Sequence, residues 1–349
     1  MKKINVVFAI ALTLALVLPF FAGCGETAQT GDNTSAVTDS VTTAPEVSTE
    51  APDMTPVRVA VLSGTTGFGI APLYRDLSEN KIDDISLTID FYSDATLVSP
   101  LIISGQADIA AVPTNLAAVL YNKTAGKVKV LAVNTLGVLY LLEQGNTVNS
   151  LADLDGKTVY LPGQGTNPEY VFRALVRASG ISGLEDRINF DYTYPTPDEL
   201  TTAVATGKAS LAVLPEPKVT AAMMKNENIR IALNFSDEWK NATGAELVQG
   251  CLIVRSEFAE AHPDVVARFA AHYAESVEKV VSSPDSAAAD VVFAGIAPNE
   301  ALVKNALPKC NIVYLTGDAM KTALNGFWKS LFDIIPSSVG GALPDDGIF

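Results

Sequence analysis

The chain has 349 residues, 48% of them hydrophobic, 18% charged and 7% aromatic, too apolar for a disordered protein and too long for one small module. Asp and Glu outnumber Lys and Arg by 39 to 24, and a body with a formal charge of −15 repels phosphate backbones, which sets nucleic acid aside as a partner. Three cysteines and two histidines set aside a disulfide scaffold and a His-rich metal site, so neither a metal nor a cofactor is expected.

Lys2 and Lys3 precede an apolar run from Ile4 to Gly23, broken only by Asn5, Thr13 and Pro19. Basic, then apolar, then small residues is the order of an export signal, predicted here over residues 1–23. The run ends in Phe21-Ala22-Gly23-Cys24, which resembles a bacterial lipobox with Phe21 in place of the usual aliphatic residue. The resemblance implies diacylglycerol and palmitate on Cys24 and an anchor on the outer face of the cell membrane. An uncleaved transmembrane segment is the alternative. Both place the rest of the chain on the extracellular or periplasmic side.

Gly25 to Pro56 holds eight Thr, three Ser, six acids and no Lys or Arg. Without apolar periodicity it buries no core, and residues 24–56 are predicted to be the lipidated cysteine and a disordered tether. From Val57 the pattern changes. Strands are predicted at 57–62, 85–91, 109–112 and 128–134, with a loop at 63–69 and helices at 70–77, 96–104 and 115–123. A second set follows: strands at 158–161, 188–192, 210–214 and 229–233, and helices at 168–179, 197–206 and 218–226. After a strand at 251–254 the chain turns helical, at 263–282, 286–293, 299–307 and 318–332. Strands alternating with helices argue for an α/β fold with parallel sheets and crossover helices. A body of this length divides into two lobes rather than sharing one core.

The stretch Ser150-Leu-Ala-Asp-Leu-Asp-Gly-Lys-Thr-Val159, with Gly163-Gln-Gly-Thr-Asn-Pro-Glu169, resembles solute-binding proteins of ABC importers, specifically the nitrate, sulfonate, taurine and thiamine-precursor group. Ser104-Gly-Gln-Ala-Asp-Ile-Ala110, Thr206-Gly-Lys-Ala-Ser-Leu-Ala-Val-Leu-Pro-Glu-Pro217 and Phe258-Ala-Glu-Ala-His-Pro263 fit the same pattern. The resemblance implies a two-lobed type II periplasmic-binding-protein-like fold, each lobe a mostly parallel sheet flanked by helices, with two chain crossings as hinge. Lobe 1 would hold residues 57–139 and 251–349, the latter mostly helical, and lobe 2 residues 140–250. The crossings would fall near Gly137–Glu143 and Val248–Val254.

In parallel α/β sheets, ligands sit beyond the carboxyl ends of strands, where helix N-termini offer unpaired N–H groups. The loops there supply candidate ligand contacts: Thr65, Thr66, Phe68 and Gly69, then Tyr92, Ser93 and Asp94, then Thr114 and Asn115. Thr135 and Gly137 open the first crossing, and Gln164, Gly165, Thr166 and Asn167 lie on the other lobe. Glu216, in a Pro-Glu-Pro turn, is either a ligand acceptor or a solvated charge. The same residue types are also ordinary caps and turns. Phe68, flanked by glycines, is predicted to line the cleft, while Trp239 and Trp328 are predicted to cover lobe surfaces. No loop of this set carries Arg or Lys, so a bidentate carboxylate clamp is missing, and a zwitterion or neutral nitrogen heterocycle fits better than a bare anion.

Gly156-Lys157-Thr158 lacks the earlier glycine of a phosphate-binding loop, and neither a nucleophile elbow nor a His-Glu-x-x-His motif occurs. Cys251 and Cys310 either pair as a disulfide or remain two buried thiols. The expected function is a non-enzymatic receptor that traps a small polar solute by hinge closure, with ABC permease and ATPase subunits on separate chains. The alternatives are an enzyme on the same fold, like the chorismate-dehydratase relatives, or a sensory or adhesive lipoprotein.

Overall fold

The computed structural model describes residues 54–349. The export signal, Cys24 and nearly all of the Thr-rich segment lie outside the described residues. The first alternation is β1 (Val57–Leu62), α1 (Thr65–Phe68), α2 (Ala71–Ser78), β2 (Leu87–Tyr92), α3 (Ala95–Ile103), β3 (Ile109–Pro113), α4 (Thr114–Lys123) and β4 (Val128–Leu136). The second is β5 (Leu139–Gln144), β6 (Thr158–Tyr160), α5 (Asn167–Ala178), α6 (Leu184–Arg187), β7 (Asn189–Asp191), α7 (Pro197–Ala205), β8 (Leu211–Pro215), α8 (Lys218–Lys225), β9 (Ile229–Asn234) and α9 (Phe235–Thr243). The chain ends in β10 (Val248–Arg255), α10 (Ser256–Ala261), α11 (Pro263–Ser282), α12 (Pro284–Phe293), α13 (Glu300–Ala306), β11 (Ile312–Leu315) and α14 (Gly317–Ile334).

Two sheets result, in the orders β11-β4-β10-β3-β1-β2 and β7-β6-β8-β5-β9. In the first, β1 to β4 point one way and β10, between β3 and β4, runs against them. In the second, β6 to β9 point one way and β5, between β8 and β9, runs against them. Apart from the edge strand β11, which also runs against β4, the two sheets therefore repeat one topology, each with a reversed strand where the chain passes between them. That passage is short on one side, only Gly137 and Val138 between β4 and β5. On the other it is the segment from α9 to β10.

The strands are apolar because helices cover both faces: Ile109 to Val112 are all buried. One core runs continuously past both sheets, from Val130 and Ile253 through Trp328, Phe327 and Trp239 to Leu141, Val159 and Val213. The opposite face of the first sheet has its own core under α2, α11 and α12. The opposite face of the second packs on α7 and α8. Local signals set the helix starts. Thr196 and Glu199 form a reciprocal capping box at α7, and Pro263 opens α11, whose buried Val266, Phe269, Tyr273, Val277 and Val280 recur at three- and four-residue spacing.

Two expectations are corrected, and one alternative left open is decided. Residues 65–68 are a helical turn rather than loop, and this turns Phe68 inward, fully buried against the core of Val61, Ile70 and Tyr273 instead of lining a cleft. Trp239 and Trp328 are both fully buried rather than covering surfaces; Trp239 packs on Phe327 with ring centroids 5.4 Å apart, and the Trp328 Nε1–H donates to the Thr114 carbonyl at 2.9 Å. Cys251 and Cys310 are separate buried thiols. The two thiols face different cores.

Replacing Phe68 by Ala is expected to cost about 3–5 kcal/mol in urea unfolding, the range for emptying a buried aromatic site. A loss under 1 kcal/mol would contradict its place in the core.

Candidate functional site

The register places Pro113, Thr135, Val248, Gly250 and Ile312 together at one end of the first sheet. It likewise places Leu139, Pro215, Tyr140 and Asn234 at one end of the second. These are the carboxyl ends of the co-directed strands, so the starts of α3 and α4 belong to one sheet's end and those of α5, α8 and α9 to the other's.

Side-chain amides join the two ends. The Val138 N–H, in the short crossing, donates to Gln249 Oε1 at 2.6 Å, and Gln249 Nε2 donates to Asn167 Oδ1 at 3.0 Å. Asn167 Nδ2 then donates to Asn115 Oδ1 at 2.8 Å, and Asn115 Nδ2 donates to the Ser338 carbonyl at 3.2 Å. Gln249 and Asn115 are buried. The chain of donors begins at a backbone N–H and ends at a backbone C=O, so each amide must accept on one side and donate on the other. Turning any one of them over would set oxygen against oxygen.

The remaining candidates divide. Thr114 is fully buried, its hydroxyl donating to the Val248 carbonyl, which pins the start of α4 to β10. Thr135 is buried, with its hydroxyl donating to Asn134 Oδ1 at 3.1 Å; Asn134 Nδ2 in turn donates to the Thr66 carbonyl and to the Tyr273 hydroxyl. Thr65 is buried in α1, while Thr66 is half-buried. Gly69 is a packing position, since a Cβ there would lie 2.7 Å from the Tyr273 hydroxyl, and at Gly137 a Cβ would lie 2.2 Å from Ser236 Oγ. Tyr92 is half-buried at the end of β2. Ser93 and Asp94 are exposed, and Asp94 caps α3 by accepting from the Thr96 N–H at 2.7 Å. Gln164, Gly165 and Thr166 form the exposed loop before α5, with the Thr166 hydroxyl donating to the carbonyls of Pro162 and Gly163.

Glu216 is neither solvated nor in an open turn. It is buried, accepts from the N–H and hydroxyl of Thr220 at 3.1 and 2.9 Å, and lies 3.4 Å from Lys309 Nζ. Burial pushes its carboxyl above the ordinary carboxylate value, and the Lys309 charge and the Thr220 donors offset this only in part. Glu169, in the first turn of α5, behaves oppositely. Burial opposes its charge, but hydrogen bonds from the Tyr192 hydroxyl, the Gly165 N–H and Arg173 outweigh burial and hold it below the ordinary value. Burial and this carboxylate together push the Tyr192 hydroxyl up to about 12.

The helix starts therefore differ electrically. The Thr96 N–H in α3 meets Asp94 and the Gly165 N–H in the loop before α5 meets Glu169, whereas α4 begins after Pro113 with no acid in its first turn. Lys218 and Lys309 pair with Asp198 and Glu216, and Arg173 pairs with Glu169. Among the described residues no group of three or more His, Cys, Asp or Glu side chains could hold a metal.

Gln249 is absent from the residues singled out in the sequence, as are Asn134 and Ser338. One signal was present for Gln249: it is a polar residue inside the apolar run Val248-Gln-Gly-Cys-Leu-Ile-Val254, where a strand has little reason to carry an amide.

Residues 81–287, more than half the chain, match the family model described as NMT1/THI5 like. The chain belongs to this family. No curated protein matches this NMT1/THI5-like chain. Among solved structures it is similar to an ABC transporter protein of Parabacteroides distasonis, at 27% identity and a TM-score of 0.71 over 84% of this chain and 98% of that one. It also resembles the periplasmic aliphatic sulphonate binding protein SsuA of Escherichia coli, at 16% identity and TM-score 0.65 over 82% and 90% of the two chains. The alkanesulfonate-binding protein SsuA of Xanthomonas axonopodis pv. citri, bound to MOPS, matches at 15% identity and TM-score 0.61 over 83% and 94%. The last two establish the shared fold. The NMT1/THI5-like chain thus has the mixed α/β architecture of periplasmic binding proteins.

A carboxyl raised in the folded state stabilises the fold below its unfolded value, near 4.3, and that contribution is lost as pH rises through the folded value. Wild type is therefore expected to gain stability relative to Glu216→Gln as pH falls from 7 through that window, read from the difference in urea midpoints. A difference independent of pH would contradict the buried, charge-costly placement of Glu216.

Proposed function

We propose that this chain is the extracytoplasmic solute-binding receptor of an ABC importer, anchored through lipid on Cys24 and working with permease and ATPase subunits on separate chains. In this reading residues 57–136 and 248–349 form one lobe and residues 139–247 the other. The observation that carries it is the amide chain: helix starts from two sheets of like topology, α4 and α5, meet through Asn115 and Asn167 beside the two-residue crossing. Such a junction closes or opens when one sheet rotates against the other, and a solute that contacts both sides shifts that balance. The likeness to the Parabacteroides ABC transporter protein over 98% of its length supports the same reading.

The groups at the junction bind rather than react. Asn and Gln amides donate and accept without titrating near neutral pH. They suit the N–H and C=O or ring-nitrogen edges of a neutral heterocycle, or the two ends of a zwitterion. The acid-free start of α4 offers N–H groups to an electron-rich end, such as a sulfonate of the kind named for the SsuA proteins. Asp94 offers a carboxylate to an ammonium end. Nitrate alone would use only the first.

The test is thermal unfolding against taurine, other alkanesulfonates, aminopyrimidines, amino acids and nitrate. A solute at a hundred times its Kd should add about 2.7 kcal/mol of stability. Asn115→Ala, removing one hydrogen-bonding amide, should weaken the same solute about tenfold. Stabilisation by nitrate but by no zwitterion or heterocycle would overturn the solute class, and no stabilisation by any of them would count against the receptor reading.

A further inference from the structure

The short crossing is held from three directions. The Val138 N–H donates to Gln249 Oε1, the Val138 carbonyl accepts from the Glu216 N–H at 2.9 Å, and the Gly137 carbonyl accepts from Asn311 Nδ2 at 2.5 Å. Of these three partners, only the Gln249 side chain links the crossing to a helix start across the sheets, through its Nε2 to Asn167 on α5. Gln249 stands at the beginning of β10 in the first sheet, while Asn167 stands on α5 beside the second. Rotation of one sheet away from the other separates Gln249 from Asn167 and Asn167 from Asn115. It also changes the backbone angles of Gly137 and Val138, where the chain passes between the sheets.

We propose that Gln249 is a positioning residue that couples the crossing to the junction of α4 and α5, and that the amide chain it heads holds the ligand-free protein closed. The inference goes beyond the receptor reading and rests on it only in taking the two sheets as bodies that rotate. Because the chain's direction is fixed at both ends, Gln249 must offer an acceptor to Val138 and a donor to Asn167 at once. Glutamate supplies only the acceptor. If Asn167 turned over to donate to it, oxygen would face oxygen at Asn115. If Asn115 turned over as well, the conflict would move to the Ser338 carbonyl. Wherever the conflict falls, the closed chain therefore has one hydrogen bond fewer than in the wild type, while the open form loses none.

The experiment is run on the full chain without any solute, so that failure to find a cargo leaves it intact. Dyes are attached to azide side chains introduced at the exposed positions Thr96 and Thr193, one on each side, and single-molecule energy transfer reports the separation. The wild type is expected to show a predominant short-distance population. Gln249→Glu should lower the closed-to-open ratio about fivefold, the usual net worth of one hydrogen bond. Asn167→Ala, which removes its bonds to both Gln249 and Asn115, should lower it further, and the double variant should fall no further than Asn167→Ala. Hydrogen exchange provides the second readout. Val138 should keep its protection in Gln249→Glu and lose it in Gln249→Ala. A residue that merely supports the fold would lower the melting temperature without changing the distance populations. An unchanged closed population in both Gln249→Glu and Asn167→Ala would overturn the proposal.

Discussion

Everything at the junction depends on a hydrogen-bond chain with a fixed direction, from the Val138 N–H through Gln249, Asn167 and Asn115 to the Ser338 carbonyl. A buried amide left unpaired costs about 1–3 kcal/mol, and in this chain no member can change partners alone. That constraint ties together five places far apart in the sequence: the short crossing, the start of β10, the start of α4, the start of α5, and the segment after α14. The burial of Thr114, whose hydroxyl meets the Val248 carbonyl while its own carbonyl accepts from Trp328, fixes the start of α4 against the same strand.

The repeated sheet topology explains why such a chain can exist. In each sheet four strands point towards the junction and a reversed strand carries the chain through it, with β11 added at the edge of the first, so helix starts are delivered to the same side from both. The electrical differences among those starts give the junction its chemistry. Asp94 takes up an N–H of α3 and Glu169 one in the loop before α5, and α4 is left without an acid.

Much of this was legible in the sequence, for identifiable reasons. The two strand–helix sets were visible because their periods differ and glycine and proline separate them. Asn115 and Asn167 were visible because polar residues after apolar strands mark the ends where helices start. What was hidden involved residues whose meaning depends on partners distant in sequence. Leu139-Tyr-Leu-Leu142 reads as part of a connection until β8 and β9 are seen on either side of it, which makes it the reversed centre of the second sheet. Phe68 lies between glycines that suggest an open loop, yet Gly69 is close against Tyr273 because that loop is packed shut. Glu216 sits in a turn of two prolines, and only the approach of Lys309 and Thr220 shows that it is buried.

The most direct test of the account is the behaviour of the three amides themselves. In 15N-labelled protein, the side-chain NH2 resonances of Asn115, Asn167 and Gln249 can be followed while taurine or an aminopyrimidine is added. For a solute that raises the melting temperature, all three are expected to shift together, while the amide of Asn189, on the far edge strand, stays in place. Stabilisation by that solute with all three resonances unmoved would place binding elsewhere and contradict the account.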